Sequence, residues 1–515
     1  MNLSCRDQGS GVGDPERQKL KRVRTWRAIG VSLMAAVGCG MPIGAQQSGV
    51  PLRRDTTRQT PPPVPTPSAP ALASPGNTAL QGPLTLDTAV AIALRVATPV
   101  QRARFASANA GTEVGRNAMN FLPTIGVAAT RSVTAGNPLV GSRATVPWST
   151  QFEAAGYQLS TSLNLLGALG AYPGYRAAEF TQQAYDLTLA RTRQSVSLDV
   201  SQAFLQTVLD SELVVIADQN YRVSQEQVVQ LQELVRVGKR PPADLYQAQA
   251  QASANQSIYF DAVNRQYADE IGLLQRLHID PQRTIPLATP VLDTTRLAPG
   301  YLDTAAVAQQ ALARRPDLQS AKSSIDATRW GIRRAHNEDL PSLSIGFTLF
   351  STGRYFDRAY QDGVNQILTP QEPLVTQVGN QATTIFSIGL GYNVLDLFRS
   401  HFDLQEAQVA YQSAEVAEGD VQRQVTGDIA RAIGEYGVAA QRMTSTAAGL
   451  EAAQAAFQLV TGRYNVGFAT IVDLLTAQAA LAQAQSLRAQ AIVQMSLSKR
   501  ALAYAMGFQP TDRLP

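Results

Sequence analysis

Two long stretches without a proline, residues 174–240 and 374–509, constrain this chain more than any other feature of its sequence. Both are rich in Ala, Gln, Leu and Glu, which favour helix. Sixty helical residues extend about 90 Å at 1.5 Å each, far longer than a globular domain requires. The last of these segments shows how such a rod would pack. At heptad spacing it reads Leu474, Ala477, Leu481, Ala484, Arg488, Ala491, Met495, Ser498, Leu502 and Ala505. Large and small residues along a stripe of period 3.5, interrupted by Arg488, predict knobs-into-holes packing at close approach.

Between the rods lie short segments of the opposite texture. Tyr157, Leu159, Thr161, Leu163 and Leu165 alternate with small and polar residues. So do Leu343, Ile345, Phe347 and Leu349, and later Phe386, Ile388, Leu390, Tyr392 and Val394. Strands are predicted at about 122–134, 152–166, 341–352 and 383–395, each near the length a tilted strand needs to cross a bilayer. Segments 135–151 and 353–382, rich in Gly, Pro and Asn, read as surface loops. Four strands cannot close a barrel alone, and open edges cannot be left in lipid. If these strands span a membrane, several chains share one barrel.

The pattern occurs twice. Val237-Gly238, Asp244-Leu245, Gln249 and Pro281 recur as Val466-Gly467, Asp473-Leu474, Gln478 and Pro510, every pair offset by 229 residues. Leu94, Ala103 and Leu122-Pro123 recur as Leu312, Ala321 and Leu340-Pro341, offset by 218. We therefore expect two structural repeats, 84–299 and 300–510, with helical hairpin tips at about 237–244 and 466–473 and a short tail at 511–515.

The N-terminus reads as an export signal over residues 1–45. Lys19, Lys21, Arg22, Arg24 and Arg27 precede the apolar run Ala28 to Ala45, and Ile43-Gly44-Ala45 is a plausible cleavage site. Cys39 offers an alternative, lipidated processing site. The proline-rich residues 46–83 read as an extended linker. The leader holds seven Lys/Arg and three Asp/Glu, which accounts for the whole formal net charge of +4. The remainder is neutral, so the basic balance is no nucleic-acid footprint. Both cysteines, Cys5 and Cys39, lie in the leader. A mature chain without cysteine must be held by packing, closure or oligomerisation. Past residue 50 no run of about 18 apolar residues occurs, so no helix of the mature chain is expected to cross a bilayer.

His278, His336 and His401 lack metal-ligand spacing, and His336 is expected in a solvated turn. No Gly-x-Ser-x-Gly elbow occurs. The expectation is no enzyme, no cofactor and no metal site.

With Leu84-Thr85-Leu86-Asp87-Thr88-Ala89-Val90 opening the first repeat, Leu122-Pro123 before the first strand, and Arg463-Tyr464-Asn465-Val466-Gly467 followed by Ile471-Val472-Asp473-Leu474-Leu475, the chain resembles the outer-membrane efflux protein family, the TolC-type channels. The resemblance covers about residues 84–510. It implies a mainly α fold with a membrane β-barrel part: a homotrimer whose twelve-stranded barrel lies in outer-membrane lipid, above a long α-helical barrel in the periplasm. It further implies docking of a periplasmic adaptor at the tips, Val237, Gly238, Lys239, Arg240, Val466, Gly467 and Phe468. The adaptor would link the channel to an inner-membrane pump of RND, ABC or MFS type. Asp473 matches the aspartate ring of the closed periplasmic mouth, while Tyr464 and Asp244 match residues linking hairpins when that mouth is shut. Thr476 and Ala469 stand where the family carries a second acidic and a basic residue, so the ring should carry less charge and one closing link is in doubt.

The tip residues also have a plain physical reading. Gly238 and Gly467 permit the positive-φ turn that folds one helix back on the next. Asp244 and Asp473 sit where a carboxylate suits the N-terminus of a helix, and capping alone would account for them. The competing reading of the whole chain is a periplasmic coiled-coil scaffold with no pore, anchored to the outer membrane.

Overall fold

The computed structural model describes residues 82–136, 150–282, 285–292, 295, 297, 303–337, 340–361, 364–366, 372–392 and 396–510. The signal segment 1–45 with Cys39, most of the linker 46–83, the tail 511–515, Glu338-Asp339 and most of the first predicted loop lie outside them.

In chain order the elements are α1 (Leu86–Val96), α2 (Thr98–Met119), β1 (Thr124–Gly136), β2 (Thr150–Asn164), α3 (Leu165–Arg236), α4 (Pro242–Arg276), α5 (Thr304–Arg314), α6 (Pro316–Asn337), β3 (Ser342–Gln361), β4 (Val364–Gln366), α7 (Leu374–Asn380), β5 (Thr383–Gly391), α8 (Asp396–Asn465) and α9 (Ile471–Ala505). Helix lengths match in pairs: α1 and α5 have 11 residues each, α2 and α6 have 22, α4 and α9 have 35, and α3 and α8 have 72 and 70.

Local chemistry sets the starts of these helices. The hydroxyl of Thr85 accepts from the Thr88 amide at α1, and the Asp303 carboxylate accepts from the Ala305 and Ala306 amides at α5. Asn164 caps α3 through the Gly167 amide. That helix then runs straight through Pro173, which the sequence reading placed ahead of the rod. A proline inside a helix costs about 3 kcal/mol. Here it is buried, and the neighbouring Tyr172 and Tyr175 pack edge-on to Trp330 and Phe121.

Among the described residues α3 has the length and apolar composition of a membrane-crossing helix, which the core helix of a helical bundle also has. Its 72 residues extend about 110 Å. They bury Val200, Phe204, Leu205, Val208 and Leu209 against α1, α4 and α9 in one core cluster. A second cluster joins Val307, Ala308 and Ala311 of α5 to Val425, Ile429 and Ala432 of α8 and to Leu502 and Ala505 of α9. Between the clusters, Arg315 is 1% exposed and donates to Asp317 Oδ1 at 3.0 Å and Asp428 Oδ2 at 2.9 Å.

The strands form one antiparallel sheet in which β1 pairs β2, β2 pairs β3, and β3 carries β5 on its first half and β4 at its far end. β3 extends to Gln361, well into the segment read as loop, because strand residues there still find partners in β2 and β4. Register places Val127, Leu159, Leu349, Ile345 and Ile388 on one face. Gly126, Ser160, Thr348, Gly346 and Ser387 fall on the other. The first face is apolar and open over the half nearer the helices, with Val127 80% and Leu390 74% exposed, and turns polar farther out, where Arg131 pairs with Glu153 at 3.1 Å. Towards the loop end, α7 lies on that same face: a Cβ on Gly353 would meet Gln377 and Val378 at 3.0–3.1 Å. The outer edges of β1 and β5 have no strand partner among the described residues.

Candidate functional site

Each pair of long helices ends in a tight turn. Val237 closes α3, Gly238 takes φ +74°, and Lys239 returns its amide to Leu234 O at 2.9 Å. At the second tip Gly467 takes φ +83° and Phe468 bonds back to Arg463 O at 2.8 Å. A residue with a Cβ is disfavoured at both positive-φ positions. Val237, Val466 and Phe468 project into solvent, as do Lys239 and both glycines.

Arg240 does not project outward with them. Its guanidinium stacks 4.3 Å over the Tyr464 ring and donates to Tyr464 O at 3.1 Å, and it approaches Asp244 Oδ2 at 3.9 Å. One side chain from the first tip thus clasps the second. Burial raises the Tyr464 phenol above its ordinary pKa; Arg240 opposes that shift and Asp244 adds to it. The Tyr464 hydroxyl finds no hydrogen-bond partner among the described residues, so Arg240 is what joins Tyr464 to Asp244. Behind this clasp, Leu231, Ala248, Ile471 and Leu474 form a small apolar cluster with the Tyr464 ring.

Asp473 stands apart from the clasp. It is the third helical residue of α9 and accepts from the Thr470 amide and hydroxyl, both at 2.8 Å, while its own amide donates to Thr470 Oγ1. This reciprocal pair is a capping box. The Thr470 amide, then its hydroxyl, holds the exposed carboxyl below the usual carboxylate range. Asp244 makes no comparable cap at α4, where Pro241 and Pro242 open the helix. Thr470-x-x-Asp473 was readable as a capping signature, whereas the reach of Arg240 to Tyr464, 224 residues on, had no local signal.

Further from the tips a buried polar layer crosses three helices. Gln478 of α9 donates to Asn220 Oδ1 at 2.9 Å and Ser224 Oγ at 3.3 Å on α3, and Asn255 of α4 donates to Ser224. In a low-dielectric interior such bonds fix helix register. Among the described residues no group of three or more His, Cys, Asp or Glu side chains is placed to hold a metal. His336 lies in the last turn of α6 and His401 in the first turns of α8.

The sequence profile of the family described as outer membrane efflux protein matches residues 92–277 and 307–508, well over half of the chain. The chain belongs to the outer membrane efflux protein family. An outer membrane efflux protein of this kind resides in the outer membrane and serves transport, and the fold matches, mainly helical with a small antiparallel sheet. The pyoverdine export outer membrane protein OpmQ of Pseudomonas putida is 24% identical over 380 residues, covering 72% of this chain and 74% of that protein. Among solved structures, the CmeC outer membrane channel of Campylobacter jejuni superposes with a TM-score of 0.68 at 17% identity, over 83% of this chain and 87% of that one. The outer membrane protein VceC of Vibrio cholerae gives 0.66 at 16% identity, over 82% and 96%. At such identities the structural likeness speaks for the fold alone.

Proposed function

We propose that this outer membrane efflux protein is a passive exit duct, three copies of which share one barrel. They dock through their hairpin tips on a periplasmic adaptor and, through it, on an inner-membrane pump. The observation that carries the reading is the sheet: four long strands with one apolar face and two unpaired edges, mounted on helices of about 70 residues. From Leu343 to Ser351 the apolar face extends about 26 Å along the strand. A tilt of about 40° reduces that to about 20 Å. Outer-membrane barrels carry an apolar band of about 25 Å; beyond Ser351 the face turns polar at the Arg131–Glu153 pair, with exposed Val375 of α7 beside it. Pairing β5 of one copy with β1 of the next removes both edges, and three copies supply twelve strands.

Matched helix lengths support reading the chain as a duplication, and the duplication supports a specific contact between copies. Inside one chain, α9 meets α3 through Gln478 against Asn220 and Ser224. The 229-residue offset carries these positions to Gln249 on α4 and to Gly449 and Ala453 on α8. Those two helices share no substantial contact within the chain, and Gln249 and Gly449 are exposed. They are the surfaces that α4 and α8 of adjacent copies would bring together. At the mouth, Asp473, Tyr464 and Asp244 are the residues we assign to gating. Val237, Gly238, Lys239, Arg240, Val466, Gly467 and Phe468 form the docking tips, with Arg240 serving both. Catalysis has no part in this function. Similarity to a pyoverdine export protein favours small-molecule cargo over secreted protein.

Two experiments test the reading. A Gln249→Cys, Ala453→Cys pair, oxidised in native envelopes, should give covalent dimers and trimers on denaturing gels. Each single variant should give none; monomers only would refute the shared barrel. A photo-crosslinker at Phe468 should capture a periplasmic adaptor, and its repeated failure in envelopes with intact trimers would refute docking at the tips.

A further inference from the structure

We propose that Tyr172, Trp330 and Arg333 form a seat for the phosphate of an anionic phospholipid in the leaflet of the outer membrane that faces the periplasm. The inference rests on reading the apolar face of the sheet as its lipid face. Tyr172 meets the Trp330 ring edge-on, with centroids 5.6 Å apart and planes at 88°. The guanidinium of Arg333 lies 4.3 Å from the same indole, and that of Arg176 lies 5.8 Å from it. Arg176 is paired with Glu179. Arg333 is exposed and has no carboxylate in reach among the described residues.

Three observations place this cluster at the lipid boundary. The first is height: Tyr172 follows the end of β2 by eight residues, and Arg333 precedes the start of β3 by nine. Eight helical residues put Tyr172 about 12 Å below the end of β2, and the contacts of Trp330 with Tyr172 and Arg333 hold Arg333 beside it. The headgroup layer is about 5–7 Å thick, and a long arginine side chain covers the difference by extending towards it.

The second is direction. Leu165, the first residue of α3 and 36% exposed, follows the apolar alternation Leu159, Thr161, Leu163 of β2 in the sequence. Residues seven and eleven positions further along a helix share its face, and these are Tyr172 and Arg176. The cluster therefore continues the lipid-facing side of the sheet. The third is chemistry. Aromatic rings with one polar end settle where hydrocarbon meets headgroup, and a guanidinium matches a phosphate with paired N–H donors. Exposed Leu340 and Tyr392, next to the strand ends, supply apolar surface for the first acyl carbons.

The test uses the assembled channel. Purified in mild detergent with added phosphatidylglycerol and examined by native mass spectrometry, the wild type should retain that lipid. Arg333→Glu should lose about fivefold in retention, the weight of one basic residue at an anionic surface. Arg333→Lys should lose less, and retention of phosphatidylcholine should be unchanged by either variant. In vesicles, phosphatidylglycerol should raise the melting temperature of the wild type over that in phosphatidylcholine alone, and Arg333→Glu should abolish that difference. Equal phosphatidylglycerol retention by wild type and Arg333→Glu overturns the proposal. So does an altered single-channel conductance with unchanged retention, which would put Arg333 on the lumen wall. Intact Gln249→Cys, Ala453→Cys cross-links without lipid preference would sink this inference alone; absent cross-links would sink the shared barrel beneath it.

Discussion

Replacing Arg240 by alanine removes the clasp between the two tips. The variant loses the guanidinium stacked 4.3 Å over the Tyr464 ring, the 3.1 Å hydrogen bond to Tyr464 O and the 3.9 Å approach to Asp244. A half-buried cation–π contact contributes about 1 kcal/mol. A hydrogen bond from a charged donor contributes about 1.5 kcal/mol, and an ion pair this long adds at most a few tenths. One side chain makes all three, so the contributions overlap, and we expect about 2 kcal/mol lost from the link. That is roughly a 30-fold change in any equilibrium that parts the hairpins. In planar bilayers the Arg240→Ala channel should show a higher conductance or open fraction than wild type. Arg240→Lys should fall between them, since an ammonium keeps the charge but not the planar stacking. A cycle with Tyr464→Leu isolates the ring contact, since leucine keeps the backbone carbonyl that accepts from Arg240. Purely additive effects of the two substitutions would refute the stacking, and unchanged conductance of Arg240→Ala in an intact trimer would refute the clasp.

Other outcomes follow from the same geometry. Asp473→Gln keeps a side chain that can complete the capping box but removes its charge, so changed conductance or ion selectivity would assign the carboxylate to the gate. Unchanged conductance would leave it a cap. Gly507 adopts φ +87°, and a Cβ there would stand 3.2 Å from Arg315 Cα. Gly507→Ala should therefore cost about 2 kcal/mol, seen as a lower melting temperature in detergent. Burial, and a hydrogen bond with Asp269, raise the Asp210 pKa from 3.8 to about 6. The folded chain then holds a proton that the unfolded chain releases, so stability is full below about pH 4 and falls as pH rises through 6. Asp210→Asn should raise the melting temperature at pH 7.5 and leave it unchanged at pH 4.

Much of the architecture was legible because it is written in periods. Every position of the heptad stripe from Leu474 to Ala505 is buried or half-buried, Arg488 included. Arg488 fits by turning its guanidinium to Met443 O, a cross-helix bond no stripe can announce. Pro173 misled because the rule against proline in helices is a cost, and tertiary packing met it. The sites were less legible for a geometric reason. Lys239 and Arg240 read together as docking-tip residues, yet Arg240 turns back over Tyr464, a contact across 224 residues that no local pattern encodes. Ser224, Asn255 and Gln478 look like surface residues of polar helices, yet they are buried at the junction of three. Arg315 carries no local signal, since its partner Asp428 lies 113 residues away.

The unpaired edges of the sheet have a genetic consequence. In the shared barrel proposed above, each chain completes its membrane wall only with its neighbours, so a damaged copy would disable sound copies built into the same ring. Lesions at β1, β5 or the α4 and α8 surfaces that still allow assembly should be dominant when expressed beside an intact gene. Lesions that prevent the chain from joining a ring should be recessive. Sorting random alleles by dominance in a merodiploid strain would thus map the seams between copies without a structure of the assembly.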